Sequence, residues 1–415
     1  MSDFITQQKL YEIYNEPANE NKSKRFNPYI YSSGEFEVKE DDFFYTSKVS
    51  GYLPKENTYG KRISEVKKEK SDMFKIHYRY VYHENQVSPN DDWCILIHGV
   101  PCNSTQKVTT MHNLAPFMHC FAIDLLGKGK SSKPLDLPDW SWEMHATYLN
   151  LFVKYIKKTY GLKNGPHIAG DDWGGGLSIV YASSYEEISS LTVIDPIIFD
   201  GHPVHEIQSI AMITQQPWEY FDARPLAFAQ TVQQILKTMV FNSERLNTFT
   251  EYGFLFPYID TQRNSGRDAN ESQVNDWNIY VLAQMASALN PEQLFPLHDR
   301  GKGVDFENIN VDVNIIWGKE DNMMACSQNY ELASTFIEFS EVIAFSTLIE
   351  GGGHLVEIDK PYEVAEVMLN FYKNQIKRFP AFYGYRQDII YKGNEKEKIK
   401  VLVEKGVVRP HFKPE

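Results

Sequence analysis

Residues 167–182 read HIAGDDWGGGLSIVYA. An apolar run stops at two aspartates, a tryptophan and three glycines, then resumes with helical patterning, so the stretch reads as strand, sharp corner and helix. Gly170 and Gly174 stand two residues to either side of Asp172, the spacing of a nucleophile elbow in which aspartate replaces serine. Such a corner strains the backbone of its central residue, and side chains at the flanking positions would collide with the neighbouring strand or helix. A helix opening near Gly174 turns its positive end to the carboxylate and favours the ionised, nucleophilic form. The neighbouring Asp171 would need a small residue at 173, where the chain has Trp173. The competing role for an aspartate here is a helix N-cap.

Three other segments bear on that choice. In LIHGVPCN, His98–Gly99–Val100–Pro101 directly follow a strand-like run, which places backbone amides where an oxyanion hole is built; the expected donors are Val100 and Trp173. In LIEGGGHLVEIDKPYEVAEVMLNFY, His354 follows the last strand of the series and precedes a final helix, the place for a general base. A histidine base needs a carboxylate to fix its tautomer. Asp321 in NIIWGKEDNMM is favoured because it gives the order nucleophile, acid, histidine, and Asp195 in VIDPII is the alternative. An Asp-Pro pair also commonly starts a turn.

Working outward, WCILIHG, HCFAIDLLG, GPHIAGDD, SSLTVIDP, DVNIIWGKED and EVIAFSTLIEGGGH recur with longer helical patterns between several of them. That rhythm predicts an α/β chain with a mostly parallel sheet covered on both faces. FKIHYRYVY, with Ile76, Tyr78, Tyr80 and Tyr82 alternating with polar residues, predicts a half-exposed strand. The expected divisions are a charged N-terminal extension (1–70), a first core segment (71–195), a helical cap rich in aromatics (196–310), a second core segment (311–377) and a charged C-terminal extension (378–415). A cap in that position sits over the carboxyl ends of the strands, where α/β sheets bind ligands. GKGKSSK is not a phosphate loop, since Asp124 occupies the position where the pattern needs glycine, and Ser132 breaks the dinucleotide pattern as well.

The chain has 415 residues, 42% of them hydrophobic and 14% aromatic, enough for a large core. A net charge of −13 argues against nucleic acid or an anionic membrane as a partner, because both need a positive field. Cys94, Cys102, Cys120 and Cys326 show no metal-site or disulfide-framework spacing, which fits a reducing compartment. With no leader-like N-terminus and no apolar run of membrane-spanning length, the expectation is a cytoplasmic protein. No metal or organic cofactor is required by the residues found.

GDDWGG, HGVP, DLLGKGKSSKP and GGGHLVEIDKPYEVA together resemble the α/β-hydrolase fold, over roughly residues 70 to 375, and within it the branch of epoxide hydrolases and haloalkane dehalogenases. The resemblance implies Asp172 as nucleophile, His354 as base, Asp321 as acid, and the amides of Trp173 and Val100 as oxyanion donors. It implies a small apolar organic substrate, with water as co-substrate, and an alkyl ester of the enzyme as intermediate. A dehalogenase needs halide donors: Trp173 supplies one, Val100 has no side-chain donor, and Trp218 or Trp277 in the cap is the remaining source. An epoxide hydrolase needs acidic phenols over the nucleophile, for which the cap offers Tyr220, Tyr252, Tyr258 and Tyr280. Epoxide hydrolysis is the leading expectation and dehalogenation the second. Cofactor-independent oxygenation, or a non-catalytic binding or assembly role, is also compatible with the same scaffold.

Overall fold

The computed structural model describes residues 32–39, 73–81, 92–132 except 116, 142–198, 234–246 except 244 and 245, 306–372 except 341, and 385–390. In chain order the elements are β1 (Ser32–Lys39), β2 (Met73–Val81), β3 (Trp93–Ile97), α1 (Val108–Leu114), β4 (His119–Ile123), α2 (Trp142–Tyr160), β5 (His167–Asp171) and α3 (Asp172–Ser184). There follow β6 (Ser190–Ile194), β7 (Val313–Gly318), α4 (Ser327–Ser340), β8 (Ala344–Ile349), α5 (Val356–Asp359), α6 (Pro361–Tyr372) and β9 (Tyr385–Ile390). A short 3₁₀ turn, Ser104–Lys107, precedes α1.

The strands form one nine-stranded sheet in the order β1-β2-β4-β3-β5-β6-β7-β8-β9. Its centre, from β4 to β8, is parallel, while β1, β2 and β9 are joined antiparallel at the two edges. The central strands alternate between two hydrophobic clusters, as strand geometry requires when both faces are covered. Trp93, Ile95 and Ile97 of β3 join the side chains of α2, α3 and α4, whereas Cys94 and Leu96 join those of α1 and α6. Chain order reverses direction between β3 and β5, and a crevice opens at the carboxyl ends of strands at such a reversal. The segments after β3 and β5, which carry Val100 and Asp172, lie at this reversal.

Two expectations need correction. The charge of residues 1–70 suggests an extension outside the core, yet Ser32–Lys39 pairs along its whole length with β2, and β9 likewise draws part of the C-terminal extension into the sheet. The charged residues around SSGEFEVK conceal a period-2 pattern in which Phe36 and Val38 alternate with Glu35 and Glu37. Strand β2 is also more buried than its alternation suggests. His77 and Arg79 are both buried, because Asp124 accepts a 2.7 Å bond from His77 Nδ1 and lies 3.7 Å from the Arg79 guanidinium.

The cap expected over 196–310 falls largely outside the described residues, as do Tyr220, Tyr252, Tyr258, Tyr280, Trp218 and Trp277. Within it, residues 234–239 are helical, and Leu236 and Met239 are buried in the main core. No described helix is long and apolar enough to cross a membrane.

Candidate active site

The corner after β5 has the conformation its spacing requires. Asp172 takes φ 50°, in the left-handed region that L residues avoid. A side chain on Gly170 would lie 2.1 Å from the Gly174 carbonyl, and one on Gly174 would lie 2.5 Å from the His98 carbonyl. Only glycine lets the strand, the helix and the β3 loop close to this distance.

Neither aspartate of the corner serves as a side-chain cap. Asp171 occupies the N-cap position of α3 without making a cap bond, and its carboxylate turns to Lys107 and Gln106. Asp172 instead joins the groups expected to act with it. Its Oδ1 accepts a 2.6 Å bond from the Val100 amide, and its Oδ2 lies 3.1 Å from His354 Nε2. The other ring nitrogen, His354 Nδ1, donates to Asp321 Oδ2 at 2.9 Å. Thus the segments after β3, β5, β7 and β8 bring Val100, Asp172, Asp321 and His354 into one array, in which Asp172 and His354 are buried and Val100 and Asp321 half-buried. Of the two expected oxyanion donors, Val100 is in contact; the Trp173 amide belongs to the first turn of α3, whose amides have no intrahelical partner.

Each group is held from behind. Asp321 Oδ1 accepts from the amides of Met323 (2.7 Å) and Met324 (2.9 Å), leaving Oδ2 for the histidine. The histidine loop is tied to the segment at 239–242: Leu355 N donates to the Met239 carbonyl at 2.9 Å, and Asp359 accepts from the amides of Phe241, Asn242 and Gly353. His98 bridges two loops, donating from Nδ1 to its neighbour's carbonyl and accepting from Leu125 N at 3.1 Å; burial pushes its pKa down to about 4, which suits a neutral structural imidazole.

Electrostatics separate the roles further. Burial alone would lower the pKa of His354, but Asp321 and then Asp172 overcome it and hold the imidazole well above the ordinary histidine range. Asp195, the alternative acid, sits beside this array without replacing Asp321. Its backbone is also left-handed, at φ 41°, and its Oδ1 accepts from Gly318 N at 2.7 Å. Burial and then repulsion from Asp321 push its carboxyl well above the usual carboxylate range. Gly318 joins the two acids: its amide holds Asp195, and its carbonyl accepts from Asp321 N at 3.2 Å. The sequence showed Gly318 only as the end of a strand.

One buried donor beside the nucleophile is left over. Trp173 Nε1 has no acceptor among the described residues, while its ring is packed edge-on to His145, with centroids 4.7 Å apart, and against Trp142 at 5.9 Å.

Residues 93–361 match the model of the alpha/beta hydrolase fold family. The chain belongs to that family. It is 33% identical over 118 residues to Lipase 3 of Moraxella sp. (strain TA144), a match covering 28% of the chain and 35% of that relative, so it spans only about a third of that relative's length. It is 23% identical over 319 residues to human monoacylglycerol lipase ABHD6, covering 71% of the chain and 81% of the relative. Among solved structures, the Cif epoxide hydrolase from Acinetobacter nosocomialis superposes with a TM-score of 0.57 at 15% identity, covering 89% of this chain and 98% of that one. The epoxide hydrolase CorEH superposes with a TM-score of 0.52 at 17% identity, covering 73% and 96%. At these identities the superpositions show a common fold.

Proposed function

We propose that this hydrolase acts through an ester formed on Asp172, and that epoxide opening to a diol is the reaction its site supports best. The observation that carries the reading is a carboxylate, not a hydroxyl, at the elbow, held between the Val100 amide and His354. Lipase relatives suggest ester substrates, but the serine nearest the elbow, Ser178, is bonded to the Gly174 carbonyl inside α3. Carboxylate attack on a carboxylic ester would give an anhydride, whereas attack on an alkyl carbon gives an ester that water can cleave.

In the first step Asp172 bonds to an epoxide carbon, the ring C–O bond breaks, and the resulting alkoxide takes up a proton. Formation of the ester removes the negative charge that helped to hold the proton on His354. Its proton affinity then falls, and the proton it gives up balances the one gained by the alkoxide. In the second step neutral His354 takes a proton from water, and the hydroxide attacks the carbonyl carbon of Asp172. Val100 N–H, with the Trp173 amide, stabilises the oxyanion until the diol leaves and the carboxylate and imidazolium are restored.

Dehalogenation is the second reading. The indole N–H of Trp173, which has no acceptor among the described residues, favours it, since such a donor suits a departing halide.

The test is a panel of terminal epoxides and bromoalkanes scored for diol and bromide, with Asp172→Ala as control. A single turnover in heavy-oxygen water should give unlabelled product, because the first oxygen delivered comes from Asp172. Label in that first product would mean direct attack by water and would sink the ester mechanism. Bromide release without diol would move the chain to the second reading.

A further inference from the structure

Lys107 is fully buried, at the end of the 3₁₀ turn that follows the Val100 loop. Burying an ammonium is unfavourable unless carboxylates pair with it. Two do: Nζ donates both to Asp171 Oδ1 and to Glu357 Oε2, and each of these side chains is itself at least 98% buried. Gln106 Nε2 adds a 2.7 Å bond to Asp171 Oδ2. Burial lowers the lysine's proton affinity, but Asp171 and Glu357 more than restore it, so the site is a charged clamp.

The positions of the three residues give the clamp its significance. Asp171 is the residue before the nucleophile, Glu357 lies three residues beyond His354, and Lys107 lies seven beyond Val100. One ammonium therefore joins the segments that carry the nucleophile, the base and the oxyanion donor, and it also neutralises the carboxylate adjoining Asp172. We propose that Lys107 is a positioning residue that holds the elbow, the histidine loop and the oxyanion loop in register. This inference rests on the reading of Asp172 and His354 as nucleophile and base. Lys107 touches neither of them, so its effect on turnover runs through their geometry.

A structural clamp and a positioning clamp respond differently when its charge is removed entirely. Lys107→Met alone strands two buried carboxylates and should lower the melting temperature. The triple variant Lys107→Met, Asp171→Asn, Glu357→Gln leaves no stranded charge and should regain cooperative melting. If Lys107 positions the site, that triple variant stays impaired: kcat falls by roughly 100-fold, the effect expected for a misplacement of about 1 Å, with KM nearly unchanged. The His354 imidazole, followed by NMR without any substrate, should titrate closer to the ordinary value of about 6.5 than in the wild type. A triple variant with wild-type turnover and a wild-type imidazole titration would overturn the proposal and leave the trio as a folding element. If the triple variant does not fold, Glu357→Gln alone, which keeps its shape, should show smaller changes in the same directions; wild-type behaviour there overturns the proposal equally. Turnover of styrene oxide or bromobutane surviving Asp172→Ala would instead defeat the nucleophile assignment, while the imidazole titration still reads the register.

Discussion

Two corners of the sheet look alike and do different things. Strands β5 and β6 are parallel neighbours, and each is followed directly by a buried aspartate with a left-handed backbone, Asp172 at φ 50° and Asp195 at φ 41°. What lies opposite separates them. Asp172 faces two donors, the Val100 amide and His354, which stabilise a carboxylate. Asp195 has one donor, the Gly318 amide, while its Oδ2 has no partner among the described residues and Asp321 repels it, so it is held towards the neutral acid. A strained turn after a strand makes an aspartate prominent; on the proposed reading, its partners are what would make it a nucleophile.

The most forceful way to break this comparison is to remove the carboxylate of the first corner. Asp172→Asn should abolish multiple turnover, with kcat reduced on the order of 10⁴-fold or more, because an amide cannot form the ester. Product formation near the wild-type rate would remove the contrast between the corners.

The second prediction concerns the acids. Asp321→Asn should slow ester hydrolysis on the order of 10⁴-fold by leaving His354 without its anchor, whereas Asp195→Asn should change the rate little, since amide and neutral acid have similar shape and charge. Rapid-quench measurement of the ester decides the ranking, and the opposite order would transfer the role to Asp195. The same variants sharpen the electrostatics. A raised imidazole pKa stabilises the fold fully below about pH 6.5, and that contribution disappears as pH rises through the folded-state value. Asp321→Asn removes the strongest of the interactions raising it, so the imidazole should titrate at lower pH and the alkaline loss of stability should begin earlier. Imidazole NMR and melting curves across pH check both.

The smallest effect is conformational. Asp195→Gly relieves the left-handed backbone by about 1 kcal/mol but strands the Gly318 amide, a loss of about 1–3 kcal/mol, so a modest net destabilisation is expected in denaturant titration. The similar shape of Asp195→Asn should nearly remove that loss.

These contrasts show what a linear sequence conveys. Asp172, His354, Val100 and Asp321 stand out because an elbow, a post-strand histidine and an oxyanion loop need particular residue types at short spacings. The sheet's parallel core was legible through recurring apolar runs. Partnerships across long separations were not: Lys107 meets residues 64 and 250 positions away, and no local period marks them. Asp171 illustrates both sides, since spacing excludes it as nucleophile but says nothing of its pairing with Lys107. Strand β1 was hidden because charged flanks outweighed two alternating apolar residues.

Gly318 has a consequence beyond the chemistry of the acids it bridges. A side chain there would lie 2.2 Å from the Gly353 carbonyl and 2.6 Å from that of Gly352, while its own amide and carbonyl are engaged with Asp195 and Asp321. One methyl group would therefore press on the histidine loop and on both acids together. In a saturation library selected for activity, position 318 should tolerate almost no replacement, although it contributes no side chain to the reaction.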